Sequence, residues 1–140
     1  MIKIKIIGVG KTKEEWLETA IAEYLKRLSP IAQFEFIFLK DDAQLLQATS
    51  EEPHYITLDE QGKTFSSVDF AHFIQKQLDQ NGPRLTFIIG GAEGLPPALK
   101  SHLPNLSLSS MTLTHQMVRL LLIEQIYRAL EIQRGSRYHK

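Results

Sequence analysis

Hydrophobic positions along the chain switch repeatedly between two periods. Ile2, Ile4 and Ile6 alternate with Lys3 and Lys5, the period of a strand with one buried face. Lys3 to Val9 is therefore predicted as a strand, punctuated by Gly8 and Gly10. Trp16, Leu17, Ala20, Ile21, Tyr24, Leu25 and Leu28 recur at helical spacing and predict a helix over Glu14 to Leu28, stopped by Ser29-Pro30. Phe34 to Leu39 reads as a second strand and Asp42 to Ala48 as a short helix. Tyr55 to Leu58 reads as a third strand ending in a turn at Asp59-Glu60-Gln61-Gly62. Ser67 to Gln80 places Val68, Phe70, Ala71, Phe73, Ile74 and Leu78 on a helix capped by Ser66 or Ser67 and ended by Asn81-Gly82-Pro83. Leu85 to Ile89 is a continuous apolar run, which suits a central strand covered on both faces. A short helix near Ala98 to His102, a last strand at Leu106 to Ser109 and a long helix from His115 to Arg134 complete the chain. The long helix is apolar nearly all round, so it is expected to be buried on every side, against its own sheet and against a second subunit. Strands alternating with helices, without repeats or linkers, predict one α/β domain over residues 1–140 with a mainly parallel sheet in three layers.

Composition narrows this little. Apolar residues make up 43% and charged residues 23% of the 140 residues, an ordinary globular balance. There is no cysteine, which removes disulfides, thiolate nucleophiles and cysteine–zinc sites. The first residues lack the pattern of a signal peptide, and no apolar run approaches the roughly 20 residues of a membrane span; a cytoplasmic protein without membrane contact is expected. Sixteen basic and sixteen acidic side chains cancel, which excludes a globally basic RNA-coating protein. The charge is unevenly spread. Residues 41–60 carry six carboxylates and no Lys or Arg, whereas residues 128–140 carry Arg128, Arg134, Arg137 and Lys140 against Glu131. A basic tail on a neutral body suits phosphate contact; it equally suits a solvated helix end complementing the helix dipole.

In open α/β sheets ligands bind beyond the carboxyl ends of strands. Three such ends are equipped for it: Leu58 with Asp59, Gly90-Gly91-Ala92-Glu93-Gly94, and Leu108 to Leu113. The glycines allow close approach of backbone to a ligand, but they form neither G-x-G-x-x-G nor a P-loop, and a tight turn after a central strand accounts for them as well. The five histidines show no metal-ligand spacing, and no metal is expected. His115 stands at a helix start with Arg119 four residues on, on the same face; a capping or buried hydrogen-bonded histidine is the simpler account of it.

Phe87-Ile88-Ile89-Gly90-Gly91-Ala92-Glu93-Gly94-Leu95 resembles the second motif of the SPOUT methyltransferases. Leu106 to Arg119, followed by Leu122-Ile123-Glu124-Gln125-Ile126-Tyr127-Arg128-Ala129, resembles the third. The ending Arg134-Gly135-Ser136-Arg137-Tyr138-His139-Lys140 is similar to that of one SPOUT family, the RlmH-type (YbeA-like) ribosomal RNA large-subunit methyltransferases. Ile7-Gly8-Val9-Gly10-Lys11, Glu23 to Leu28 and Ile56-Thr57-Leu58-Asp59 with Gly62-Lys63 match that family's pattern too, so the resemblance spans nearly the whole chain. It implies a parallel α/β SPOUT fold whose C-terminal segment forms a trefoil knot, and a homodimer packed through the C-terminal helix. It implies S-adenosylmethionine bent in the knot against Leu58, Gly90, Leu108, Ser109, Ser110, Met111, Thr112 and Leu113. The implied reaction is methylation of N3 of a pseudouridine in 23S-type ribosomal RNA, with the assembled ribosome as substrate.

That nitrogen carries a hydrogen that must leave, so a base or a hydrogen-bond partner is expected. The candidates are His139, Tyr138 and His115. The tail of one subunit is expected to reach the cofactor pocket of the other, with Arg128, Arg134 and Arg137 holding phosphates or a base edge. Arg119, with His115, is expected to shape the knot or the RNA surface. Two departures from the family stand out. Thr114 replaces the usual Pro, and Thr can cap the helix in its place. The stretch from Leu39 to His54 is short, so a helix at the sheet edge is expected to be trimmed. The rival readings are a SPOUT enzyme acting on a tRNA base or ribose and a non-catalytic ribosome-associated dimer.

Overall fold

The computed structural model describes all residues 1–140. Five parallel strands, β1 (Ile2–Val9), β2 (Ala32–Leu39), β3 (Ile56–Thr64), β4 (Arg84–Ile89) and β5 (Asn105–Ser107), form one sheet in the order β2-β1-β4-β3-β5. Helices α1 (Glu15–Leu28), α2 (Asp42–Ser50), α3 (Ser67–Asn81) and α4 (His115–Gln133) connect or follow them, with a short 3-10 turn at Pro97–Leu99.

The alternation in β1 explains the three layers. Ile4 and Ile6 point into the larger core with Leu17, Ile21, Phe70, Ile74, Leu122 and Ile126, on the face that carries α1, α3 and α4. Ile7 points the other way, with Ile88, Leu45 of α2, Leu95 and Leu99. Central β4 feeds both layers, and Leu85 to Ile89 are all buried, as a continuous apolar run requires. Helix starts are fixed by side-chain caps. Ser66 accepts from the Asp69 amide at 3.0 Å, Asp41 from the Gln44 amide at 2.9 Å and Thr114 from the Met117 amide at 3.2 Å. Thr114 thus does at α4 what the sequence suggested.

One expectation is corrected. Asp59 to Gly62 make no turn. Strand β3 runs on to Thr64, with a register shift that pairs both Leu58 and Lys63 with Leu106 of β5. Gly62 serves close backbone approach: a Cβ there would lie 2.6 Å from the Asn105 carbonyl oxygen. The projecting residues face solvent, so their polar sequence mimics a turn. Helix α4 is not buried on every side within one chain. Leu122, Ile123, Ile126, Ala129 and Leu130 are buried, while Met117, Val118, Leu120, Leu121, Tyr127 and Ile132 stay half-exposed. The segment after Leu39 folds as the nine-residue helix α2. No helix is long and apolar enough to cross a membrane.

Candidate active site

The three equipped strand ends converge. Leu58 and Asp59 of β3, Ile89 to Leu95 after β4, and Leu108, Ser109, Met111, Thr112 and Leu113 after β5 line one cavity of about 770 Å³. Glu14 and Trp16 at the start of α1 and His115 to Val118 in the first turn of α4 close its sides. A larger hollow, about 1000 Å³, lies over the beginnings of β1, β2 and β4 among Lys3, Lys5, Glu35, Glu52 and Arg84. It sits at the wrong end of a parallel sheet for a ligand site, and its floor is already partly paired, Lys5 with Glu52 at 2.9 Å and Thr86 with Glu52 at 3.0 Å.

The cavity wall is set by backbone. A Cβ on Gly90 would stand 2.3 Å from the Gly94 carbonyl group, so the loop closes only over a glycine. The Gly94 amide donates to the Gly91 carbonyl at 2.9 Å. After β5, Ser107 Oγ donates to the Ser109 carbonyl at 2.8 Å, and the Met111 amide donates to Ser109 Oγ at 3.0 Å. Of the predicted cofactor residues, Ser110 alone is absent from the wall; it faces solvent. The lining mixes apolar Leu58, Leu106, Leu108 and Leu113 with the carboxylates Glu14, Asp59, Glu60 and Glu93, against the single cation Lys100.

His115 stands at the cavity. Burial, then the neighbouring Arg119 and Lys13 charges, hold its pKa below the usual value. It is therefore neutral near pH 7, with Nε2 within 3.3 Å of the Gln116 amide nitrogen. Gln116 also bridges the turn before α1: it donates to the Lys11 carbonyl at 3.1 Å and accepts from the Lys13 amide at 3.1 Å. Arg119 completes the clasp. It is 1% exposed. Its guanidinium donates to the Val9 carbonyl and to Thr12 Oγ1, each at 3.0 Å, and to the Gly10 carbonyl. It also lies 4.2 Å from the centroid of the Phe38 ring. Burial pulls its pKa down to about 10, which leaves it charged. The expectation that Arg119 contacts RNA is corrected: a side chain enclosed in carbonyls cannot meet a phosphate.

Tyr138, His139 and Arg128 come together elsewhere. Tyr138 donates to Glu124 at 2.9 Å and packs edge-on against Tyr127, with ring centroids 4.7 Å apart. Arg128 pairs with Glu124 at 3.2 Å and donates to His139 Nδ1 at 3.1 Å. Arg134 pairs with Glu131 at 2.8 Å, and Arg137 is exposed. None of these residues lines the cavity of its own chain. Sequence reasoning missed Glu14, Trp16 and Gln116. Gln116 carries no pattern signal, and the helical period assigns Trp16 to the core.

The comparisons agree with this architecture. The family model described as "Predicted SPOUT methyltransferase" matches residues 2–139. A protein of Protochlamydia amoebophila named ribosomal RNA large subunit methyltransferase H is 54% identical over 140 residues, covering all of both chains. A protein of the same name from Symbiobacterium thermophilum is 39% identical over 161 aligned residues, covering 99% of this chain and all of its own. A solved structure of a probable methyltransferase from Bordetella pertussis is similar in fold, with TM-score 0.58 at 10% identity over 92% of this chain and 96% of its own. The strand-end cavity, the glycine loop and these full-length matches lead to one conclusion: the chain belongs to the SPOUT methyltransferases, among the members named ribosomal RNA large subunit methyltransferase H.

Proposed function

We infer that the chain transfers a methyl group from S-adenosylmethionine to N3 of a pseudouridine in large-subunit ribosomal RNA, working as a homodimer on the assembled ribosome. The convergence of Leu58, Gly90, Leu108, Ser109, Met111, Thr112 and Leu113 on one cavity carries this reading. The residues present fit the donor. The volume is in the range of small-molecule sites. Leu58, Leu108 and Leu113 offer apolar walls for an adenosyl group, and both loops contribute residues to the same lining. Four carboxylates against one lysine favour a ligand that carries positive charge. When bound, S-adenosylmethionine supplies a methyl group already activated by its sulfonium. The protein's remaining tasks are alignment and removal of one proton.

His115 offers an uncharged ring at the cavity wall for that proton. Tyr138 and His139 cannot reach the cavity of their own chain. From His115 to Arg134 helix α4 rises about 28 Å, and the few residues from Arg134 to His139 span at most about 18 Å. These side chains serve catalysis only in the cavity of a second copy, with Arg128, Arg134 and Arg137 bringing the cations that a carboxylate-rich cavity needs beside RNA. The half-exposed apolar face of α4 is suited to hold that copy, and the knotted threading implied by the family belongs to the same reading. In the single chain Arg128 occupies His139 Nδ1 and Glu124 occupies the Tyr138 hydroxyl, so the tail must leave this seat to act.

Mixed dimers test the arrangement. Gly90→Ala disables the cavity; Tyr138→Phe with His139→Ala disables the tail. Each variant alone is expected to be inactive on ribosomes. An equal mixture, exchanged through unfolding and refolding, should regain about a quarter of wild-type turnover, because one site in each mixed dimer is complete. No recovery between two variants that each form dimers would contradict a shared site.

A further inference from the structure

We propose that Trp16 is a stacking platform for a nucleobase of the substrate RNA at the mouth of the methyl-donor cavity, an inference that rests on the function given above. Trp16 is the chain's one tryptophan, and it is 58% exposed. Its neighbour Leu17 is buried in the core where it meets the cavity, and Trp16 stands exposed on the same lining. Five large hydrophobic side chains are exposed, and two of them, Trp16 and the 76% exposed Met111, line this same cavity. Apolar exposure gathered at a concave site marks a ligand face.

The chemistry of the surroundings selects the occupant. An indole face accepts any base by stacking. Asp59, Glu60 and Thr112 on the same lining can accept from the N–H edge of that base. Lys11 and Lys13, both exposed on the turn that leads into α1, stand ready for the flanking phosphates. Gln116 and Arg119 clasp that turn to the first turn of α4. The platform is therefore fixed relative to His115, as a positioning surface requires.

Because Trp16 is unique, its fluorescence reads the site directly. The full-length protein is first saturated with S-adenosylhomocysteine, then titrated with a uridine hexanucleotide and, separately, with an abasic hexamer of the same backbone. Quenching by the uridine oligomer and none by the abasic one is expected. Trp16→Ala should raise the KM for ribosomes about tenfold or more with the KM for S-adenosylmethionine unchanged, and Trp16→Phe should restore most of the loss. Complete quenching by S-adenosylhomocysteine alone would assign Trp16 to the donor and overturn the proposal. Emission that responds to protein concentration or to removal of residues 134–140, but not to RNA, would assign it to the second copy and overturn it too, as would no response to any ligand. If the wild-type enzyme methylates ribosomes while Trp16 stays silent, this inference falls and the function stands. If it methylates no RNA, the function falls first.

Discussion

The hydroxyl of Tyr138 donates to the carboxylate of Glu124 at 2.9 Å, tying the last residues of the chain back onto α4. Burial, with the hydrogen bonds to Glu124 and Tyr24, pushes the phenol well above its usual pKa. The protonated form is the one that binds. The contribution to tail docking is therefore complete below the unfolded phenol value of about 10 and is lost as pH rises through the higher folded value. In an absorbance titration at alkaline pH, Tyr127, also raised by burial and Glu131, should ionise above the ordinary range and Tyr138 in a later step still. Tyr138→Phe should abolish that late step, and Glu124→Gln should bring it down toward the ordinary range.

His115 obeys the opposite sign. Its pKa is lowered by burial, Arg119 and Lys13, so the folded state favours the neutral ring. The stability it contributes is full above the unfolded value of about 6.5 and falls as pH drops through that value toward the folded one. Lys13→Gln removes one of the named charges, and the ring proton resonance of His115 should then titrate at higher pH than in the wild type. An unchanged midpoint would show that Lys13 does not act on the ring.

Arg119 is expected to matter for the fold before it matters for chemistry. Arg119→Met removes the donor from two loop carbonyls and from Thr12. A cost of about 2–4 kcal/mol follows, seen as a fall in Tm of roughly 10 °C. Arg119→Lys keeps the charge but cannot reproduce the planar fork, and should recover only part of the loss. In both variants the turn carrying Lys11 and Lys13 loosens, so ribosome binding should weaken more than donor binding.

Gly90→Ala forces a Cβ to within 2.3 Å of the Gly94 backbone. Backbone on both sides leaves nothing flexible to yield, so the loop must shift. Donor binding measured by calorimetry should weaken at least about tenfold, the effect of a 1.4 kcal/mol loss. Gly91→Ala, whose nearest neighbour is the Val9 side chain at 3.3 Å, should be milder.

Much of this arrangement is legible in the sequence because burial imposes periodicity. Strand β4 and the inward faces of α1 and α3 follow directly from apolar spacing. The converging strand ends follow from the rule for parallel sheets. What fails to show is set by contacts between residues remote in sequence. The extension of β3 past Asp59 leaves the sheet's covered zone, so its residues are polar and read as a turn; only its pairing with Leu106 makes it a strand. Arg119 carries a surface charge by type, yet it is enclosed by carbonyls from residues more than a hundred positions earlier. Trp16 falls on the apolar period of α1 but faces the cavity, because a single turn at a helix start can leave the core while keeping the spacing. The tail motif is recognisable as a resemblance, whereas its seat on Glu124 and Arg128 is visible only in three dimensions.

The most direct test of the account is methyl transfer from labelled S-adenosylmethionine to ribosomes, free 23S ribosomal RNA and bulk tRNA, all taken from cells lacking this activity. Label is expected in the large-subunit RNA of ribosomes, at N3 of a pseudouridine, with little in free RNA and none in tRNA. Label confined to tRNA, or no transfer to any RNA by a folded dimer that binds the donor, would contradict it.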